Sequence, residues 1–155
     1  SENTDDGRNL QTELNLELYS MTKIESKKVN VACSAEDCYT FLTDLNNYEL
    51  LLPKDKISSW ESDDKKCSFK IQKTYKLTLI YKNGLPHNEI HLVSGENSPF
   101  SFSLNIMLTE SNGTCDAQLL CEADINPFLK MMVEKPLNNL FDYMADRLVK
   151  VKERV

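Results

Sequence analysis

The chain has 155 residues, 41% of them hydrophobic, and a formal net charge of −6. That length is most simply one domain with a substantial core, and no apolar run approaches the ~18 residues of a membrane span. The acidic balance argues against nucleic acid, where a basic face supplies most of the affinity. The locally basic "RLVKVKER" near the C-terminus reads as a solvated helix end that complements the helix dipole.

The five cysteines, Cys33, Cys38, Cys67, Cys115 and Cys121, form no CxxC pair, and no nearby histidine gives zinc spacing. An odd number of thiols suggests reduced cysteines and a cytoplasmic protein. Cys67, Cys115 and Cys121 fall on the apolar phase of strands, where a thiol behaves as a small hydrophobe. No cofactor or metal is expected.

Residues 1–20 are polar and contain no methionine; Met21 is the first. This raises the expectation that 1–20 is a leader, or a non-native extension, ahead of a domain over 21–155. Leu14, Leu16 and Leu18 alternate, which leaves room for a strand-like arm. From Thr22 to Ala32 the sequence "TKIESKKVNVA" predicts a first strand. Ser34 then opens a helix, with Asp37 as a short-armed capping-box partner, and Phe41, Leu42 and Leu45 give that helix an inner face. "NNYELLLP" is a second short helix stopped by Pro53.

Six further strands follow, beginning with "KISSWES" near residue 57. Cys67, Phe69 and Ile71 alternate with polar residues, as do Tyr75, Leu77, Leu79 and Tyr81. "KNG" at 82–84 signals a turn. Ile90 and Leu92 belong to the next strand, and Phe100, Phe102, Leu104, Ile106 and Leu108 to the one after. Beyond the turn "ESNGT", Cys115, Ala117, Leu119, Cys121 and Ala123 form the last strand. A sheet apolar on one face only is antiparallel and half covered.

The cover is a C-terminal helix. Asn126 is its N-cap and Pro127 its first residue. Leu129, Met132, Val133, Leu137, Leu140, Met144, Leu148 and Val151 recur at helical spacing. From 126 to 153 it would span roughly 42 Å. Pro136 interrupts it, removing a hydrogen bond and costing about 3 kcal/mol in a regular helix interior. Either the helix kinks there to follow a curved sheet, which is the favoured reading, or "NPFLKMMVE" breaks away as a lid.

This order of elements resembles the helix-grip fold of the START-like (SRPBCC) superfamily, an α+β architecture with a curved seven-stranded antiparallel sheet around one long helix. "VACSAEDCYTFLTDLNNYELLLP" is similar to its strand-to-helix-pair opening, and "INPFLKMMVEKPLNNLFDYMADRL" to its closing helix. The resemblance covers about 22–153. It implies a cavity between sheet and helix that takes a small hydrophobic or amphipathic molecule, and it carries over no catalytic residue.

The alternating phase predicts the cavity walls: Phe69, Ile71, Leu77, Leu79, Phe102, Leu104 and Leu119 from the sheet, and Met132, Leu140 and Met144 from the helix. Trp60, the only tryptophan, is a candidate for the cavity mouth, with core packing or a rim position as the alternatives. A polyketide cyclase-like enzyme using Tyr75, Tyr81 or Trp60 to orient a substrate is the alternative, and a protein-interaction module the third. His87 is expected in a loop and His91 on the solvent side, neither as a general base. If 1–20 contributes nothing to the domain, its deletion shifts the thermal midpoint by no more than a few degrees, under about 1 kcal/mol for a domain of this size.

Overall fold

The computed structural model describes residues 21–153, so Leu14, Leu16 and Leu18 lie outside the described residues. Chain order is β1 (Met21–Glu25), β2 (Val29–Val31), α1 (Ala35–Leu42), a 3-10 helix (Leu45–Leu51), β3 (Ile57–Ser62), β4 (Lys66–Ile71), β5 (Tyr75–Leu85), β6 (Glu89–Ser94), β7 (Ser101–Ser111), β8 (Thr114–Asp124) and α2 (Pro127–Val151). The sheet is antiparallel, in the order β1-β8-β7-β6-β5-β4-β3, with β2 also on β8. This is the α+β helix-grip arrangement.

The expected first strand is divided in two. Met21–Glu25 pairs with Leu120–Asp124, and Val29–Val31 pairs with Cys115–Ala117, both on the same edge of β8. Buried Ser26 fills the gap between them. Its backbone N–H donates to the Leu119 carbonyl at 2.9 Å, and its hydroxyl accepts from the Leu119 N–H at 2.9 Å. A side chain thus takes the place of the missing ladder bond, as a buried backbone N–H requires. Counting the two pieces separately gives eight strands.

The turn expected at 82–84 is absent. Asn83 and Gly84 lie within β5, beyond a bulge between Tyr81 and Asn83, and Gly84 pairs with Ile90. A Cβ on Gly84 would stand 2.5 Å from the Glu89 carbonyl oxygen. The glycine therefore serves close strand approach rather than a turn. The chain reverses at Pro86–Asn88, with Asn88 N–H on the Leu85 carbonyl at 2.9 Å. The "NG" signal does hold at the β7–β8 hairpin, where Asn112 and Gly113 have φ of 53° and 82° between paired Ser111 and Thr114.

Ser34 caps α1 by accepting from the Asp37 N–H at 3.1 Å. Cys38 and Leu42 face the core, while Phe41 is half-buried beneath the Lys152 ammonium, 4.7 Å from its ring centroid. The following 3-10 turn sinks Tyr48 completely, and its hydroxyl donates to the Leu42 carbonyl at 2.8 Å. That bond closes the end of α1 against the core.

Asn126 caps α2 by accepting from the Leu129 N–H at 2.8 Å, with Pro127 at the first position. The helix runs unbroken through Pro136 to Val151, so "NPFLKMMVE" is not a separate segment. Its buried residues, Leu137, Phe141, Met144, Ala145 and Leu148, all follow the proline. Polar anchors follow it too. Asn138 donates to the Glu25 carbonyl at 2.8 Å, Asp142 accepts from the Lys27 N–H at 2.7 Å, and Asp146 pairs with the Lys27 ammonium at 2.7 Å. Arg147 donates to the Leu50 carbonyl at 3.2 Å.

Tyr48→Phe would leave the Leu42 carbonyl buried without its partner. The expected loss is about 1–3 kcal/mol, read from the urea midpoint at unchanged slope.

Candidate functional site

Before Pro136 the helix buries no residue fully, and only Leu129 and Val133 pack against the core, half-buried. Phe128, Met131 and Met132 are 74%, 86% and 51% exposed. Beneath this half lies an apolar groove of about 180 Å³, lined by Ile71, Gln72, Tyr75, Leu77, Pro99, Phe100, Leu129, Met132, Val133, Pro136 and Leu137. Leu77, Phe100 and Leu137 also line a second space further in, walled by Phe69, Leu79, Phe102, Leu104, Cys121, Leu140, Phe141 and Met144. The inner space holds about 20 Å³, room for roughly one water molecule. No polar side chain lines it, so it suits an apolar group rather than water.

The groove arises where two turns and a helix fail to close over the sheet. β4 and β5 are joined by Gln72, Lys73 and Thr74, the first two left-handed at φ of 55° and 62°. Two successive left-handed residues match strand twist, but without Asn or Gly they carry strain. Ile71 and Tyr75, paired across this turn, form one lip. Pro99 and Phe100, ahead of β7, form another lip, and Phe100 packs against Phe102 at 5.8 Å between centroids. Gln72 and Tyr75 supply the polar side chains at the groove, and Tyr75 is 39% exposed there.

Nine of the eleven residues expected at the cavity are found on these walls: Phe69, Leu77, Leu79, Phe102, Leu104, Leu140 and Met144 in the inner space, and Ile71 and Met132 in the groove, with Leu77 in both. Leu119 and Trp60 are not. Leu119 is buried but pairs with Ile106, whereas the inner space meets β7 and β8 one level away, at Leu104 and Cys121. Trp60 stacks on Phe69 at 6.0 Å and 19°, behind the wall rather than on it, and its indole N–H donates to Ser62 at 3.2 Å.

Phe141 and Leu137 carry much of the helix side. Phe141 was missing from the expected helical stripe because Leu140 beside it satisfied the same spacing. Phe100 shared the predicted alternation with Phe102 but was not among the expected wall residues, and in the structure it lies just ahead of β7. Tyr81 sits under the Lys65 ammonium at 4.6 Å and beside Tyr39, away from the cavity. His91 bridges Asn83 and Glu89 at 2.7 and 2.9 Å, and His87 occupies the Pro86–Asn88 turn at φ 69°. Neither lines the groove. Among the described residues no group of His, Cys, Asp or Glu could hold a metal ion, and no helix is long and apolar enough to cross a membrane. Burial pushes the Cys121 thiol, on the inner wall, up to about 12, so it stays protonated and apolar there.

The two halves of α2 should answer differently to truncation. Met144→Ala removes a buried side chain and should cost about 2–5 kcal/mol. Met132→Ala, on the open half, should stay within about 0.5 kcal/mol. Thermal melts of the two variants measure the contrast.

No family model matches the chain, and no curated protein matches it in sequence. Solved structures do. Norcoclaurine synthase from Thalictrum flavum superposes with a TM-score of 0.67 at 15% identity, covering 84% of this chain and 92% of its own. A START superfamily protein from Mycobacterium smegmatis gives 0.65 at 14% identity, covering 85% and 96%. A structural-genomics target from Chromobacterium violaceum gives 0.66 at 12% identity, covering 88% and 99%. At these identities the likeness concerns architecture, and on that ground the chain shares the helix-grip fold of these structures.

Proposed function

We propose that the protein binds a small hydrophobic or amphipathic molecule in the groove under the first half of α2, without catalysis of its own. The observation that carries this reading is the contrast along the helix. Its second half is packed and anchored, whereas its first half leaves apolar side chains exposed over an apolar groove of about 180 Å³. A concave apolar site with a few polar groups at one end is the usual form of a ligand pocket. The inner space would take the tip of an apolar tail, and Gln72 and Tyr75 at the mouth would meet a polar head. The roles expected of Phe69, Ile71, Leu77, Leu79, Phe102, Leu104, Met132, Leu140 and Met144 are then those of wall residues.

The enzymatic alternative draws support from the norcoclaurine synthase likeness, one structure of which holds dopamine and hydroxybenzaldehyde. Catalysis needs acid, base or nucleophile converging on one point. Gln72 and Tyr75 are the polar side chains lining the groove, and neither Tyr81 nor Trp60 reaches it. Binding is therefore the better-supported reading. The five free thiols suit a reducing compartment, in keeping with a cytoplasmic location.

Met132→Trp tests the proposal. A tryptophan there fills the groove from an already exposed position, so the thermal midpoint should hardly move, whereas overpacking a closed core would cost about 1–3 kcal/mol. Uptake of an apolar fluorescent probe, present in the parent protein, should fall at least tenfold. A parent protein that never takes up the probe, together with a strongly destabilised variant, would overturn the reading.

A further inference from the structure

Three of the five thiols meet at the start of α1, far in the fold from the groove's lining residues. Cys33 follows β2, where its N–H bonds the Val31 carbonyl at 2.8 Å, and Cys38 lies in the first turns of the helix. Their sulfurs are 2.9 Å apart and share a hydrogen bond. Cys115, at the start of β8, completes the cluster beside Cys38, but its thiol donates to the Asp116 carbonyl at 3.6 Å. By contrast, no cysteine is among the groups that shift Cys67 and Cys121, and burial pushes both up to about 12.

The geometry points to Cys33 and Cys38 as a dithiol that closes to a disulfide when the folded protein meets hydrogen peroxide. A disulfide is about 2.05 Å long, so the sulfurs need to approach by less than about 1 Å. The ring would enclose Ser34–Asp37, the segment that caps α1, and would fix the junction of β2 with the helix.

Exposure orders the two steps. Cys33 is 5% exposed and Cys38 wholly buried, so Cys33 meets the oxidant first. The Cys33 sulfur attacks one peroxide oxygen and the O–O bond breaks. Cys33 becomes a sulfenic acid, and the displaced oxygen leaves as water with the thiol's proton. The Cys38 sulfur then attacks the Cys33 sulfur, the S–O bond breaks, and the hydroxide takes the Cys38 proton and leaves as a second water. Two thiols lose two electrons and two protons, and the peroxide accepts both. Burial raises the Cys38 thiol well above its ordinary range, so Cys38 is the resolving rather than the sensing partner. Thiolate character sets which cysteine oxidises first.

Tryptic cleavage makes the test direct, because Cys33 and Cys38 fall together in the peptide 29–54, whereas Cys115 and Cys121 fall in 83–130. The folded chain is treated with hydrogen peroxide, alkylated in urea, digested without reductant and weighed. The expected result is a 29–54 peptide two hydrogens lighter than the reduced form and bearing no alkyl group, with Cys67, Cys115 and Cys121 alkylated. A chain oxidised in urea should give mixed pairings instead. Cys33→Ala should leave Cys38 fully alkylated. Three results would overturn the assignment: 29–54 joined to 83–130, sulfinic or sulfonic acid without any linkage, or no change in the folded chain at a peroxide excess that oxidises the unfolded one.

Discussion

An antiparallel sheet of eight strands presents more apolar surface on its inner face than the stripe of one helix can meet. Every feature of this molecule follows from how that mismatch is divided. The second half of α2 takes its full share, with Leu137, Phe141, Met144, Ala145 and Leu148 buried. Three anchors fix it to the turn between β1 and β2, at the Glu25 carbonyl and at the Lys27 backbone and ammonium. α1 and the 3-10 helix cover the neighbouring part, with Tyr48 as the largest fully buried side chain. What remains uncovered is the inner face near β4, β5 and the start of β7, and there the groove opens.

Pro136 marks the division. A proline within a helix forfeits the bond to the carbonyl four residues earlier, here that of Met132, which lines the groove. In a helix packed along its whole length that loss would be a defect. Here it falls where the packed half meets the exposed one, so it weakens the helix only between two segments with different work. The adjacent methionines are suited to the exposed segment, since flexible thioether side chains adapt to more than one neighbour.

Architecture was largely legible from the amino acids because it rests on periodicity and punctuation. Period-two alternation in β4, β5, β7 and β8 gives the inner face directly, and Asn126-Pro127 marks the start of α2. Three features were not legible. Gly84 looked like a turn residue because sequence cannot distinguish a glycine needed for positive φ from one needed to let the Glu89 carbonyl approach. The true β4–β5 turn uses Gln72 and Lys73, which carry no turn signal. The break between β1 and β2 depends on Ser26 bonding Leu119 across the sheet, a contact between residues 93 positions apart. Among the wall residues, sheet positions followed from phase. Leu119 did not, because phase gives the face but not the height along a strand at which space is left.

The pairing of the first strands with the last has a temporal consequence. Among the described residues β1 and β2 find their partners on β8, Met21 opposite Asp124 and Val31 opposite Cys115, and the turn between them is anchored by α2. β3 to β8 can form in sequence by local hairpins, each strand on its predecessor. β1 and β2 must wait until nearly the whole chain has emerged, and such long-range closure slows folding. During synthesis the first strands are thus an unpaired edge, the species most open to pairing with the wrong chain. The polar and charged residues Lys23, Glu25, Lys27, Lys28 and Asn30 occupy that edge, where charge discourages edge-to-edge association until β8 arrives.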